Sequence, residues 1–157
     1  MWAQASPSWP SLPEVPRSRA RARQAGVTDA AAYLAKAGEF LRAANDSLEL
    51  GNNTAAVANA VHAGILAADA ISAVRSREVW RGEHAQAASH LEAAGDEGKL
   101  AARHLRRLLP LKTRAEYDPA PIRAADAKGA VSSAERMMTI ATQAVMSAPA
   151  PKESGGN

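Results

Sequence analysis

The sequence predicts an all-α fold, and three observations carry that prediction. Alanine, the strongest helix former, supplies 39 of the 157 residues. Glycine, proline and aromatic residues are sparse between residues 28 and 148, where strand-favouring residues are scarce too. Across the same span, apolar residues recur at three- and four-residue spacing. The length suits a single domain. We expect that domain at residues 28–148, between a disordered Pro/Arg-rich arm (1–27) and a disordered tail (149–157).

The arm holds Pro7, Pro10, Pro13 and Pro16 before RSRARAR, and such a composition buries too little apolar surface to order itself. Trp2 and Trp9 within it are docking candidates. A first helix starts at Thr28 as N-cap with Asp29 in its first turn. Its stripe of Tyr33, Leu34, Ala37, Phe40, Leu41, Ala44 and Leu48 runs on to Gly51. A second helix, capped by Asn53 or Thr54, carries Val57, Val61, Ile65, Ala68 and Ser72. Its many small residues (Ala56, Ala60, Ala63, Gly64, Ala67) let another helix approach closely, so it is the expected centre of the bundle. Asn59, His62 and Asp69 form a polar seam along it, read as buried groups that satisfy one another and neighbouring backbone.

Residues 76–83, SREVWRGE, read as a connection. A short third helix spans His84 to Ala94 and stops at Gly95. A fourth runs from Asp96 to Leu109, where Pro110 is expected to end or kink it. The stretch LPLKTRAEYDP is then a hinge, and Asp118 caps a fifth helix that reaches about Ser147. The expected architecture is an up-down bundle of four long helices and one short one.

The formal net charge of +3 is misleading, because it sits in the arm. Residues 1–27 carry Arg17, Arg19, Arg21 and Arg23 against Glu14, while residues 28–148 carry fourteen basic and fourteen acidic side chains. Without cysteine there are no disulfides, thiolate metal sites or cysteine nucleophiles. The apolar runs read as shorter than the roughly 18–20 residues that cross a bilayer. The N-terminus also lacks an apolar signal core. The reading is a cytoplasmic protein without membrane association.

Between Lys99 and Ala115 there are six basic residues and no acid: Lys99, Arg103, Arg106, Arg107, Lys112 and Arg114. The first four share one side of the fourth helix, and guanidinium forks match phosphate oxygens. The patch is thus either an anion or nucleic-acid contact or a solvated face paired with acids. His62, His84, His90 and His104 form no metal-ligand motif, and no glycine-rich phosphate loop or serine nucleophile elbow is present. No metal or cofactor is expected. If the chain is an enzyme, histidine acid-base chemistry with arginine holding an anion is the route.

Four segments in order, NAVHAGILAADAIS (59–72), RGEHAQAASHLEAAG (81–95), LRRLLPLKTRAEYDP (105–119) and the last helix AADAKGAVSSAERMM, resemble the HEPN domain superfamily of helical-bundle proteins. The similarity covers about residues 30–146. It implies a dimeric bundle from a bacterial toxin–antitoxin or defence system, with RNA, a cognate toxin, an antitoxin or a nucleotidyltransferase as partner. Many members are metal-independent ribonucleases that use an arginine followed four to six residues later by a histidine, and some carry a modifiable tyrosine just beyond it. By resemblance Arg114 matches the arginine and Tyr117 lies near the tyrosine, but AEYDPAP follows Arg114 and the histidine is missing. Arg77 and His84 restore the spacing formally, in an earlier loop.

Two functional expectations follow. The first is a non-catalytic bundle that binds a partner protein or nucleic acid, with Lys99, Arg103, Arg106, Arg107, Lys112, Arg114 and Tyr117 as the binding corner. The second is a ribonuclease with His84 or His104 as acid-base group and Arg77, Arg103 or Arg114 on the scissile phosphate.

Overall fold

The computed structural model describes residues 22–149. The order is β1 (Ala22–Gln24), α1 (Val27–Glu49), α2 (Asn53–Arg75), β2 (Glu78–Trp80), α3 (His84–Glu92), α4 (Gly95–Tyr117) and α5 (Ala124–Met146). Five helices and a two-stranded sheet make the chain predominantly helical, as its alanine content requires. The expected tail from residue 150 and the arm up to residue 21, with Trp2 and Trp9, lie outside the described residues.

The expected disordered arm is corrected at its end. Ala22–Gln24 pairs antiparallel with Glu78–Trp80, Ala22 opposite Trp80 and Gln24 opposite Glu78. Ala25 N–H then donates to the Arg77 carbonyl at 2.9 Å. The strands are only three residues long, and Val79, fully buried, holds β2 to the helices. Arg77 turns the chain out of α2 with a φ of 59°, a left-handed conformation that is uncommon for a residue with a Cβ.

Helix α2 is the centre. It packs on α1, α4 and α5, and it buries fourteen of its 23 residues, so little of its surface is left for water. By length and composition alone α2 is long and apolar enough to cross a membrane, with a mean hydropathy of 1.5 over its most apolar window. That corrects the expectation that every apolar run is too short. Of that window 72% is buried inside the protein, as in the core helix of a packed domain. Gly64 shows why small residues were needed there: a Cβ on it would sit 2.4 Å from Leu108 Cδ1 of α4 and 3.3 Å from Met137 Sδ of α5. Three helices therefore close on one point.

Several helix ends differ from expectation. Gly26, rather than Thr28, precedes α1, and its N–H donates to Asp29 Oδ2 at 2.9 Å. Asn52 precedes α2, which frees the Asn53 side chain to donate to the Ile122 carbonyl at 3.1 Å and tie α2 to the segment before α5. Asp118 closes α4 instead of capping α5; its Oδ1 accepts from Ala120 N–H at 2.9 Å. Arg123 precedes α5.

The largest correction concerns Pro110, which does not end α4: the helix continues to Tyr117. Proline removes one N–H, that which would reach the Arg106 carbonyl, and crowds the preceding turn. The buried Leu108 and the half-buried Leu109, Leu111 and Ala115 keep the following turns against the core. Pro110 itself is exposed. An interior proline is roughly 3 kcal/mol less favourable than alanine, so Pro110→Ala should raise stability by about 1–3 kcal/mol in urea denaturation. An unchanged or lowered midpoint would mean that α4 is not continuous through this position.

Candidate nucleic-acid interface

Helix α4 divides its surface by spacing. Gly98, Ala101, Ala102, Leu105 and Leu108 are buried, which turns the basic residues toward water and toward the neighbouring helices. The structure splits the expected patch in two. On the α3 side Arg106 bonds Glu92, and that hydrogen bond, with a smaller pull from the Lys99 charge, holds the Glu92 pKa below its ordinary value. That part is a paired surface.

On the α5 side a groove of about 610 Å³ opens between the helices, lined among others by His104, Arg107, Asp126, Ser132, Ser133 and Arg136. Among the described residues no hydrogen bond or ion pair engages Arg103, Arg107 or Arg136. His104 reports on their closeness. Burial lowers its pKa first, followed by the charges of Arg107, Arg136 and Arg103. Its Nδ1 is buried with no hydrogen-bond partner among the described residues. Among the described residues the only acid lining the groove, Asp126, is shared by Arg114 at 3.7 Å and Arg123 at 3.5 Å. The groove is therefore a concentration of guanidinium charge with one carboxylate against it, suited to several phosphate oxygens at once.

The binding corner expected at the end of α4 is less open than its composition implied. Lys112 Nζ lies 3.0 Å from Glu116, one helical turn on, and Arg114 leans on Asp126. Tyr117 is 79% exposed at the last residue of the helix. The stretch is helix rather than hinge, so its side chains point around the axis instead of converging.

Among the described residues no hydrogen bond or ion pair joins Arg77 to His84. Arg77 is exposed at the turn into β2, where its carbonyl accepts from Ala25 N–H. His84 starts α3 and lines a cavity that Arg77 does not line. Among the described residues no cluster of His, Asp and Glu could hold a metal ion.

The polar seam on α2 is also corrected. His62 is exposed and stacks on Phe40 at 5.1 Å, and Asn59 is half-buried, so the two do not satisfy Asp69. Asp69 alone is buried, at 6% exposure. Its partner is Arg81, whose Nη1 donates to both carboxylate oxygens at 3.1 and 3.2 Å and whose Nη2 donates to Tyr33 Oη at 3.0 Å. Three- and seven-residue spacing placed the seam on one helix, but the partner comes from the β2–α3 turn.

Burial pushes the Asp69 carboxyl up to about 6 from 3.8, against the pull of Arg81. Between pH 4 and 6 the folded chain thus holds a proton that the unfolded chain has released. Stability from this group falls as pH rises through that window. Relative to Asp69→Asn, the wild type should lose about 2–3 kcal/mol between pH 4 and pH 7 in denaturant titrations. Parallel pH curves for the two proteins would contradict it.

Sequence reasoning missed Arg136 as part of the groove. A signal was present: Ala125, Gly129, Ser132 and Arg136 recur at helical spacing, a face of small residues ending in a cation. Compared with known proteins, the chain matches no family model, and no curated protein matches it significantly.

Proposed function

We propose that this chain is a HEPN-like bundle, non-catalytic, that holds RNA along its α4–α5 face within a bacterial toxin–antitoxin or defence module. In this reading the long helices α1, α2, α4 and α5 form the up-down bundle and α3 is the short addition. The observation that carries it is the pair of guanidiniums lining one groove, Arg107 and Arg136, with Arg103 beside His104 on α4, none of the three engaged by an acid among the described residues. Unpaired like charges repel one another and are retained at no benefit to the fold, whereas a phosphate chain would neutralise them. The absence of a histidine after Arg114, whose charge leans on Asp126 instead, supports binding over cleavage.

The second reading, a metal-independent ribonuclease, is favoured by one feature: His104 is kept neutral beside three arginines, the state a general base needs. Incubating the protein with single-stranded RNA in the presence of a chelator separates the two. The proposal expects a bound, intact strand, both for wild type and for His104→Ala. Cleavage that His104→Ala abolishes would replace binding with the nuclease reading.

A further inference from the structure

A second cavity, of about 430 Å³, lies on the other side of α4, between α2, the β2–α3 turn and α3. Leu105 reaches it, whereas His104 and Arg107 face the groove. Its volume falls within the range of small-molecule sites. Apolar walls come from Ile65, Leu66, Leu91 and Leu105, and Trp80 and His90 form an aromatic wall with ring centroids 5.2 Å apart.

Two features say what would fit. His90 Nε2 is buried with no hydrogen-bond partner among the described residues, a hydrogen-bonding position that a native fold rarely leaves open. Asp69 borders the same space and carries a charge already matched by Arg81, itself occupied by the Trp80 carbonyl at 2.8 Å and by Tyr33. The charges in the wall cancel, so an ion entering it would lose its hydration without gaining a counter-charge.

We infer that this cavity binds a small uncharged nitrogen heteroaromatic of the nucleobase class, its ring against Trp80 and His90 and its ring N–H and nitrogen atoms hydrogen-bonded to Asp69 and His90 Nε2. A phosphate-bearing nucleotide is disfavoured, since among the described residues no unoccupied guanidinium borders the cavity. The site is independent of RNA binding at the α4–α5 face.

The test is a titration of the ¹⁵N-labelled full chain with adenine, read by NMR. The Trp80 indole signal should shift progressively below about 5 mM adenine, while those of Trp2 and Trp9 stay in place. Adenosine monophosphate should need at least about tenfold higher concentration for the same shift. Ala87→Phe, which fills the cavity from its half-buried rim, should abolish the shift, and His90→Ala should weaken binding about tenfold. A Trp80 signal unmoved by adenine, an equal response to the monophosphate, or an equal response in the Ala87→Phe protein would each overturn the inference. Intact tertiary dispersion in the variant spectra separates loss of binding from loss of fold.

Discussion

Leu108→Ala should lower the free energy of unfolding by about 3–5 kcal/mol, the upper part of the range for a buried leucine. Leu108 is fully buried and its Cδ1 occupies the space that Gly64 leaves open, with Met137 beside it. Truncation opens a cavity where α2, α4 and α5 meet, and backbones already this close have little room to collapse. The converse change, Gly64→Ala, adds helix propensity of about 1 kcal/mol but drives a methyl into Leu108, an overpacking that costs about 1–3 kcal/mol. The two effects share the same space. The double variant Gly64→Ala/Leu108→Ala should therefore be more stable than the sum of the single changes by at least about 1 kcal/mol. Strict additivity would mean that Leu108 and Gly64 do not meet.

The second large effect is on binding. Replacing Arg103, Arg107 and Arg136 together by glutamine should weaken single-stranded RNA binding about a hundredfold at moderate salt, with little loss of stability because none of the three has a partner among the described residues. Arg75→Gln is the matched control. Its guanidinium is held by Glu97 at 2.8 Å and by Ser147, so it is committed to the fold. That variant should bind RNA as the wild type does.

Much of the architecture was legible in the sequence because it depends on spacing. Tyr33 to Leu48 and Val57 to Ser72 marked α1 and α2, and the small residues of α2 announced its central place. Pro110 misled, since local propensity said stop while Leu108 and Leu111 on either side had tertiary contacts that outweigh one lost hydrogen bond. The strands β1 and β2, three residues each, are too short for any alternating pattern, and only their pairing across more than fifty residues creates them.

The sites were less legible, because they join residues distant in sequence. The basic run from Lys99 to Arg114 could be counted, but which cations keep their charge free depends on Glu92 and Asp126 arriving from α3 and α5. Asp69 was visible as a polar residue in an apolar helix. Its partner Arg81 was hidden in a turn that Gly82 closes, where a Cβ would strike the Trp80 ring at 2.3 Å.

The central claim is tested most directly by fluorescence anisotropy of a labelled single-stranded RNA across a salt series, with wild type and the Arg103/Arg107/Arg136 variant side by side. The wild type should bind with a steep decline in affinity as salt rises, and the variant should show a log–log slope shallower by about 2, the loss of three phosphate contacts at roughly 0.7 each. Equal slopes for the two proteins, or no binding by the wild type at low salt, would contradict it.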